Sequence, residues 1–558
     1  MKRKIFLVIV IIIVAAVGFF LGVLHRAPDE EEISTDSITA FSGLTGLKFT
    51  DDEKELMLED LKEHKESYMK IRKVKIDNSV PPARQFNPIP ADFIPYYKTG
   101  SFKMSSIGEV NVPDNKEALA FYSVMELAEL IRTRKITSTE LTNIYLDRLK
   151  KYGDRLKCVI TLTEDLALKQ AKRADDEIAA GKYRGPLHGI PYGLKDLLSV
   201  KGYKTTWGAM PYKDQVIDEN STVYMKLRDA GAVLVAKLSM GALAWGDVWY
   251  GGTTKNPWNL EEGSSGSSAG SAAATAAGLV GFSIGTETWG SIVSPSTRCG
   301  DTGLRPTFGR VSRAGVMALS WSMDKIGPIC RTVEDCAIVF NYIYGPDGID
   351  QSVIDMPYSY NPSINPEDIR MGYLKTAFDE EYDNKSFDQE TLQKLRELGF
   401  ELIPIELTEY PVEALSFILY AEAAAAFDEL TRSNRDDMLV RQVRYAWPNV
   451  FRHARLIPAV EYIQANRIRK MIIEEMSNIM NDIDLYVAPS FGGNNLLLTN
   501  LTGHPCIVLP NGFKENGSPV SISFIGRLYD EGRLLAITRL YQNATAFHLK
   551  HPVAFKPR

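Results

Sequence analysis

Cysteine is scarce in this chain. The five residues Cys158, Cys299, Cys330, Cys336 and Cys506 are scattered through 558 positions, odd in number and without C-x-x-C spacing. That excludes a disulfide framework and a cysteine zinc site, and leaves them as buried apolar fillers. The seven histidines show no metal-ligand spacing either. A large excess of one charge is also missing. The net charge of −6 provides no basic face for a general nucleic-acid grip, so nucleic acid is not an expected partner. No internal repeat occurs, and no low-complexity block beyond one serine/glycine stretch. An apolar fraction of 45% is enough for a large core and excludes wholesale disorder.

One long hydrophobic run is present, at the very start. Lys2, Arg3 and Lys4 precede an uninterrupted apolar stretch from Ile5 to Leu24, about the length of a bilayer-spanning helix. Residues 1–26 therefore read as an uncleaved membrane anchor, with a cleaved secretory signal as the second choice, since only a poor cleavage site follows. The basic flank before the run and the acids from Asp29 to Glu32 after it favour a body on the exported face. Residues 27–116 read as a tether. Within it, Asp51 to Val74 forms a charge-rich surface helix, after which Pro81, Pro82, Pro88, Pro90 and Pro95 break regularity.

The compact part is expected over 117–558. Ser123-x-x-Glu126 and Thr137-x-x-Glu140 are capping boxes ahead of apolar helical faces. Strand-like runs then recur at Ala232–Ala236, Ile369–Leu374, Leu402–Ile405, Ile483–Ala488, Cys506–Pro510 and Val520–Ile525, each separated by helical or loop sequence. That alternation predicts an α/β fold: a large mixed, mostly parallel twisted sheet covered by helices on both faces.

The chemistry concentrates between Gly263 and Gly303. Two glycine turns bearing serines, Gly266-Ser267-Ser268-Ala269-Gly270 and Trp289-Gly290-Ser291-Ile292, flank a run of Ala, Gly and Thr that makes a close-packing helix. The N-terminus of such a helix points amides back at the glycine turn, where negative charge is welcome. Upstream, Lys195 follows small and apolar residues in Gly193-Leu194-Lys195-Asp196. Burial there lowers a lysine pKa from about 10.4 towards neutrality and makes the amine a usable base. The alternative is a structural lysine paired with Asp196 or Asp301.

These motifs, with Gly285 to Ile292, Cys299-Gly300, Gly303 to Thr307, Lys255 to Asn259, Asn500 to Pro505 and Ile525-Gly526-Arg527, resemble the amidase signature family over about residues 120–550. The resemblance implies an amidase that hydrolyses a carboxylic amide through an acyl-enzyme, with a small-molecule amide as substrate and no metal or cofactor. Carried onto matching positions, Ser291 is the nucleophile, Ser267 (24 residues earlier, after a cis peptide) the relay, and Lys195 the base. The backbone N–H groups of Thr288, Trp289, Gly290 and Ser291 form the oxyanion hole. Trp289 stands where many members have glycine, and Val293 where an arginine is common, so the pocket is expected to be narrowed or re-aimed.

Competing motifs are weaker. Gly266 to Gly270 also fits G-x-S-x-G with Ser268 as nucleophile, but that motif needs a strand before it, which Lys255 to Ser265 does not promise. Ser322-x-x-Lys325 and Lys98-Thr99-Gly100 occur in reversed order without S-D-N between them. For the whole chain the alternative is a glutaminase-type subunit of a transamidation complex, or a catalytically inactive scaffold. The apolar N-terminus speaks against the first, and the intact Lys195, Ser267 and Ser291 against the second.

Overall fold

Short apolar runs become the strands of one eleven-stranded sheet. The computed structural model describes residues 33–557 apart from 84, 91, 92, 97 and 98. In chain order the strands are β1 Val159–Leu162, β2 Pro191–Lys195, β3 Val233–Leu238, β4 Phe282–Glu287, β5 Thr302–Arg305 and β6 Lys325–Cys330. They continue as β7 Arg370–Leu374, β8 Glu401–Ile405, β9 Leu485–Pro489, β10 Cys506–Phe513 and β11 Pro519–Gly526. Across the sheet they lie in the order β8-β7-β9-β11-β10-β5-β6-β4-β2-β3-β1. All six strand-like runs of the sequence fall on these strands.

The sheet is mixed, as expected, but not mostly parallel. The pairs β7–β8, β7–β9, β2–β4 and β2–β3 are parallel, whereas the other six are antiparallel. The reason is physical. A continuous apolar run reports that both faces of a strand are covered; it does not report strand direction. Here β5, β6, β10 and β11 are antiparallel yet buried almost throughout.

Two compact units divide after Asp77. In the first, α1 (Thr35–Thr45) and α2 (Asp51–Ile71) each begin at a capping box, set by Ser34 with Ser37 and by Thr50 with Glu53. No residue of α2 is buried, as its charge-rich sequence requires. The second unit begins at Asn78, so residues 78–116 belong to the body and not to a tether. The expected anchor over residues 1–26 lies outside the described residues. Among those described, no helix is long and apolar enough to cross a membrane.

In the second unit the two capping boxes open α3 (Val124–Arg132) and α4 (Ser138–Leu156). The Ala-rich run forms α5 (Ala269–Ala276), buried at every position. A short α6 (Val293–Cys299) follows β4, and α7 (Phe417–Ala426), α8 (Ala459–Asp482) and α9 (Asn495–Thr502) lie between β8 and β10 in the chain, α8 packing against both of the others. Small residues are what let α5 lie so close to the sheet. A Cβ on Gly270 would stand 2.5 Å from both the Cys158 carbonyl oxygen and the Ser239 backbone nitrogen. Gly270→Ala is therefore expected to destabilise the protein by about 1–3 kcal/mol, read as a drop in Tm; an unchanged Tm would show that α5 can move away without loss.

Candidate active site

The parallel register of β2 and β4 aligns Leu194 with Ile284. The carboxyl ends of both strands thus emerge side by side, a common position for ligand chemistry in α/β sheets. β2 ends on Lys195, and β4 ends on Thr286 and Glu287 and runs into the Thr288–Ser291 turn.

Lys195 is fully buried. Its Nζ lies 2.9 Å from Ser267 Oγ, 3.0 Å from Ser268 Oγ and 2.8 Å from Thr286 Oγ1. No carboxylate among the described residues pairs with it. Burial pushes its ammonium down to about 7, against the opposing pulls of Asp324 and Glu287. The structural pairing considered from sequence falls to another lysine: Asp196 Oδ1 lies 2.8 Å from Lys237 Nζ, with both groups buried.

The Gly266–Ser267 peptide is cis. Ser268 N–H donates to the Ser291 carbonyl at 3.2 Å, which draws the two serine turns together. Gly270 N–H donates to the Ser239 carbonyl at 2.8 Å. These leading amides of α5 are therefore engaged by the protein itself, contrary to the anion-binding role its position implied. The Ser268 hydroxyl is also clamped, donating to the Thr286 carbonyl at 3.1 Å and accepting from Thr286 N–H at 3.1 Å. Against expectation, a strand, Asn259–Gly263, does precede the G-x-S-x-G sequence. It belongs to a separate two-stranded hairpin, and Ser268 is buried on Lys195 and Thr286, so no nucleophile elbow forms.

Glu287 is the residue that sequence reasoning passed over. One carboxylate oxygen, Oε2, accepts from the amides of Ile292 (2.8 Å) and Val293 (3.0 Å), at the start of α6. The other, Oε1, accepts from Arg305 Nη1 (2.8 Å) and Asn500 Nδ2 (2.9 Å). Burial alone would raise its pKa, but Arg305 and these donors override it and hold the carboxyl at about 2. Arg305 Nη2 also donates to the His504 carbonyl at 3.0 Å. Three motifs far apart in the chain thus meet on one carboxylate. The signal was present as Glu, Arg and Asn inside separate motifs, without any pattern joining them.

The same carboxylate delimits the turn. Among the described residues no acceptor takes the N–H of Thr288, Trp289, Gly290 or Ser291, the four amides just before those that Glu287 holds. Gly290 has φ +85°, a left-handed conformation that favours glycine. Thr288 Oγ1 donates to the half-buried Asp324 at 2.6 Å. Asp324 in turn accepts from the amides of Leu319 (2.8 Å) and Ser320 (3.0 Å).

A cavity of about 540 Å³ opens onto Thr286, Thr288 and Asp324. The aromatic residue on its wall is Trp321. Trp289, expected to narrow the pocket, is not among the lining residues and is 36% exposed, while Val293 is buried. Ser322 and Lys325 do not form an S-x-x-K pair: Ser322 Oγ bonds Glu422 and Arg469, and Lys325 Nζ donates to the Met323 carbonyl. Lys98 lies outside the described residues.

A family model described as Amidase matches residues 140–535. The chain belongs to the amidase family. A glutamyl-tRNA(Gln) amidotransferase subunit of Acinetobacter baumannii is 33% identical over 477 residues, covering 77% of this chain and 97% of that protein. The protein of the same name from Carboxydothermus hydrogenoformans is 31% identical over 483 residues, covering 78% and 99%. Among solved structures, the peptide amidase of Stenotrophomonas maltophilia superimposes with a TM-score of 0.69 at 29% identity, covering 77% of this chain and 98% of its own. A bacterial aryl acylamidase of the amidase signature family gives a TM-score of 0.71 at 21% identity, covering 78% and 99%, a likeness of fold.

Removing the charge of Glu287 would leave the fully buried Arg305 without its ion partner. Glu287→Gln is expected to cost about 3–5 kcal/mol of stability. Denaturant unfolding measures it, and a loss below about 1 kcal/mol would mean the turn is held by other contacts.

Proposed function

We propose that this amidase-family enzyme hydrolyses a linear carboxylic amide through an acyl-enzyme on Ser291, with Ser267 and Lys195 as the proton route. One observation carries the reading: a buried amine without a carboxylate partner lies 2.9 Å from the Ser267 hydroxyl, beside a turn of unengaged amides that ends at Ser291.

The proton inventory at Lys195 supports the direction of transfer. Ser268 Oγ donates its own hydrogen to the Thr286 carbonyl, so towards Lys195 it can only accept. Thr286 Oγ1 can accept a second amine hydrogen. A neutral amine with both hydrogens so engaged turns its lone pair to Ser267, whose hydroxyl then donates to it. Ser267 can relay the Ser291 proton to Lys195 as Ser291 Oγ bonds the carbonyl carbon. The oxyanion that forms faces the amides of 288–291, each donor worth roughly 3 kcal/mol in such a site. Collapse breaks the C–N bond, and the lysine ammonium returns its proton through Ser267 to the departing nitrogen. Water then enters by the same route and releases the carboxylate.

A second reading keeps the same chemistry but passes ammonia to an acceptor inside a complex. The names of the sequence relatives favour it. The apolar run from Ile5 to Leu24 favours the first, because it fits a membrane-tethered enzyme with its body on the exported side. Release of ammonia or amine by the isolated full-length protein with water as the only acceptor separates the two.

Ser291→Ala is expected to lower turnover by about 10³-fold or more with an unchanged Tm; substantial residual amidase activity would count against the nucleophile. In the wild type kcat/KM should rise with pH through about 7, as Lys195 loses its proton. Lys195→Ala should abolish most activity and flatten that rise; a profile that keeps its acid limb would assign the limb to another group.

A further inference from the structure

We propose that Ser79, Pro81, Pro82, Ala83 and Gln85 form a specificity-determining wall of the substrate cavity, supporting a bulky apolar group of the amide. This rests on the catalytic reading of Ser291 given above. The segment lies upstream of the family match at 140–535, yet Ser79, Pro81, Pro82, Ala83 and Gln85 line the cavity that opens onto Thr286 and Thr288.

Both ends of the segment are fastened. At one end the Asn78 side chain makes three hydrogen bonds to backbone. Its Nδ2 donates to the carbonyls of Ala318 (3.0 Å) and Ala426 (3.2 Å), and its Oδ1 accepts from the Ala318 amide (2.7 Å). At the other end the Phe86 ring stands edge-on to Phe308, with centroids 5.1 Å apart. The Arg469 guanidinium lies 3.6 Å over its centroid. That guanidinium is itself held by the carbonyls of Leu501 and Ser322. Between these fastenings Pro81 and Pro82 fix two backbone torsions, so the span is stiff. The two prolines, close to the Asn78 fastening, therefore hold a set position on the cavity wall.

Lys195, Ser267 and Ser291 do not themselves line the cavity; it reaches them at Thr286, whose hydroxyl lies 2.8 Å from Lys195 Nζ, and at Thr288 of the amide turn, and its lining includes Leu197, Met317 and Trp321 as well as the two prolines. Its volume of about 540 Å³ is in the range of sites that enclose drug-sized ligands. Pro81 and Pro82 are exposed, so a ligand group lying against them would cover apolar surface now in water. The substrate class this fits is an amide whose acyl or amine portion carries a sizeable apolar chain or ring.

The experiment uses the full-length protein, Pro81→Gly/Pro82→Gly and Asn78→Ala, each reacted with a short-alkyl and a long-alkyl fluorophosphonate. Labelling at Ser291 is read by peptide mass spectrometry. The wild type should react faster with the long probe, and both variants should lose about tenfold of that long-to-short preference. An equal change with both probes, an unchanged ratio in folded variants, or a gain for the long probe would overturn the wall. Absence of labelling at Ser291 in the wild type would instead overturn the catalytic reading, and the wall with it.

Discussion

Everything at this site depends on an amine kept out of water without an anion beside it. The chain contains its own control. Lys195 and Lys237 lie on adjacent strands of one sheet, and both are fully buried. Lys237 has Asp196 at 2.8 Å, together with Thr205 Oγ1 and the Lys204 carbonyl. Lys195 has three hydroxyls and no carboxylate. Burial lowers the pKa of both, but only at Lys237 does a directly paired carboxylate, Asp196, oppose it; the anions that oppose it at Lys195, Asp324 and Glu287, make no hydrogen bond to the amine. Burial alone therefore does not make a base. The difference is in what surrounds the ammonium: hydroxyls solvate either protonation state, whereas a carboxylate fixes the charged one. A lysine held by hydroxyls can change state during a reaction cycle.

Glu287 supplies the complementary constraint. An oxyanion site needs amides aimed at one point and no protein acceptor competing for them. In the proposed mechanism the Glu287 carboxylate at the end of β4 would serve that need indirectly, since it takes the next two amides along the chain. It ties the turn to β5 through Arg305 and to α9 through Asn500. Asp324 does similar work from the other side through Thr288, and it links the turn to the 319–320 backbone on the cavity wall. The turn is thus gripped at both flanks, and the fold beneath it is rigid because α5 has no side chains large enough to cushion it from the sheet.

Much of this was legible in the sequence because it is local. The Ser123 and Thr137 capping boxes, the apolar runs of β7 to β11 and the small residues of α5 each fall within a few consecutive positions. The serine turns and Lys195 were legible through resemblance; the fold places Lys195 Nζ on Ser267 Oγ and joins the two turns through Ser268 N–H and the Ser291 carbonyl. Strand direction was not legible, since β10 and β11 read as the same apolar runs whichever way they point. The Glu287–Arg305–Asn500 cluster was hidden for a different reason: its members are separated by 18 and 213 residues from the carboxylate and join only in space. The Asn256–Pro257 turn misled because a two-residue strand and a five-residue strand can flank it without any clear alternation.

The body begins earlier in the chain than its sequence suggests, because prolines at 81, 82, 88 and 90 resemble those of an unstructured linker. Proline removes a donor and fixes φ; it does not prevent packing. Pro88 and Pro90 are buried, and Pro88 lies 3.0 Å from where a Cβ on Gly503 would stand. A proline-rich segment costs less conformational entropy to order than a flexible one, so a few specific contacts suffice to fasten it. Asn78 makes its contacts to the backbone of Ala318 and Ala426, which any side chains at those positions would offer equally. The cavity wall can therefore vary in sequence while the hydroxyl cradle of Lys195 and the grip on the 288–291 turn stay as they are. The buried amine and its hydroxyl partners are held by the sheet, and the cavity beside them is lined in part by a segment the sheet does not contain.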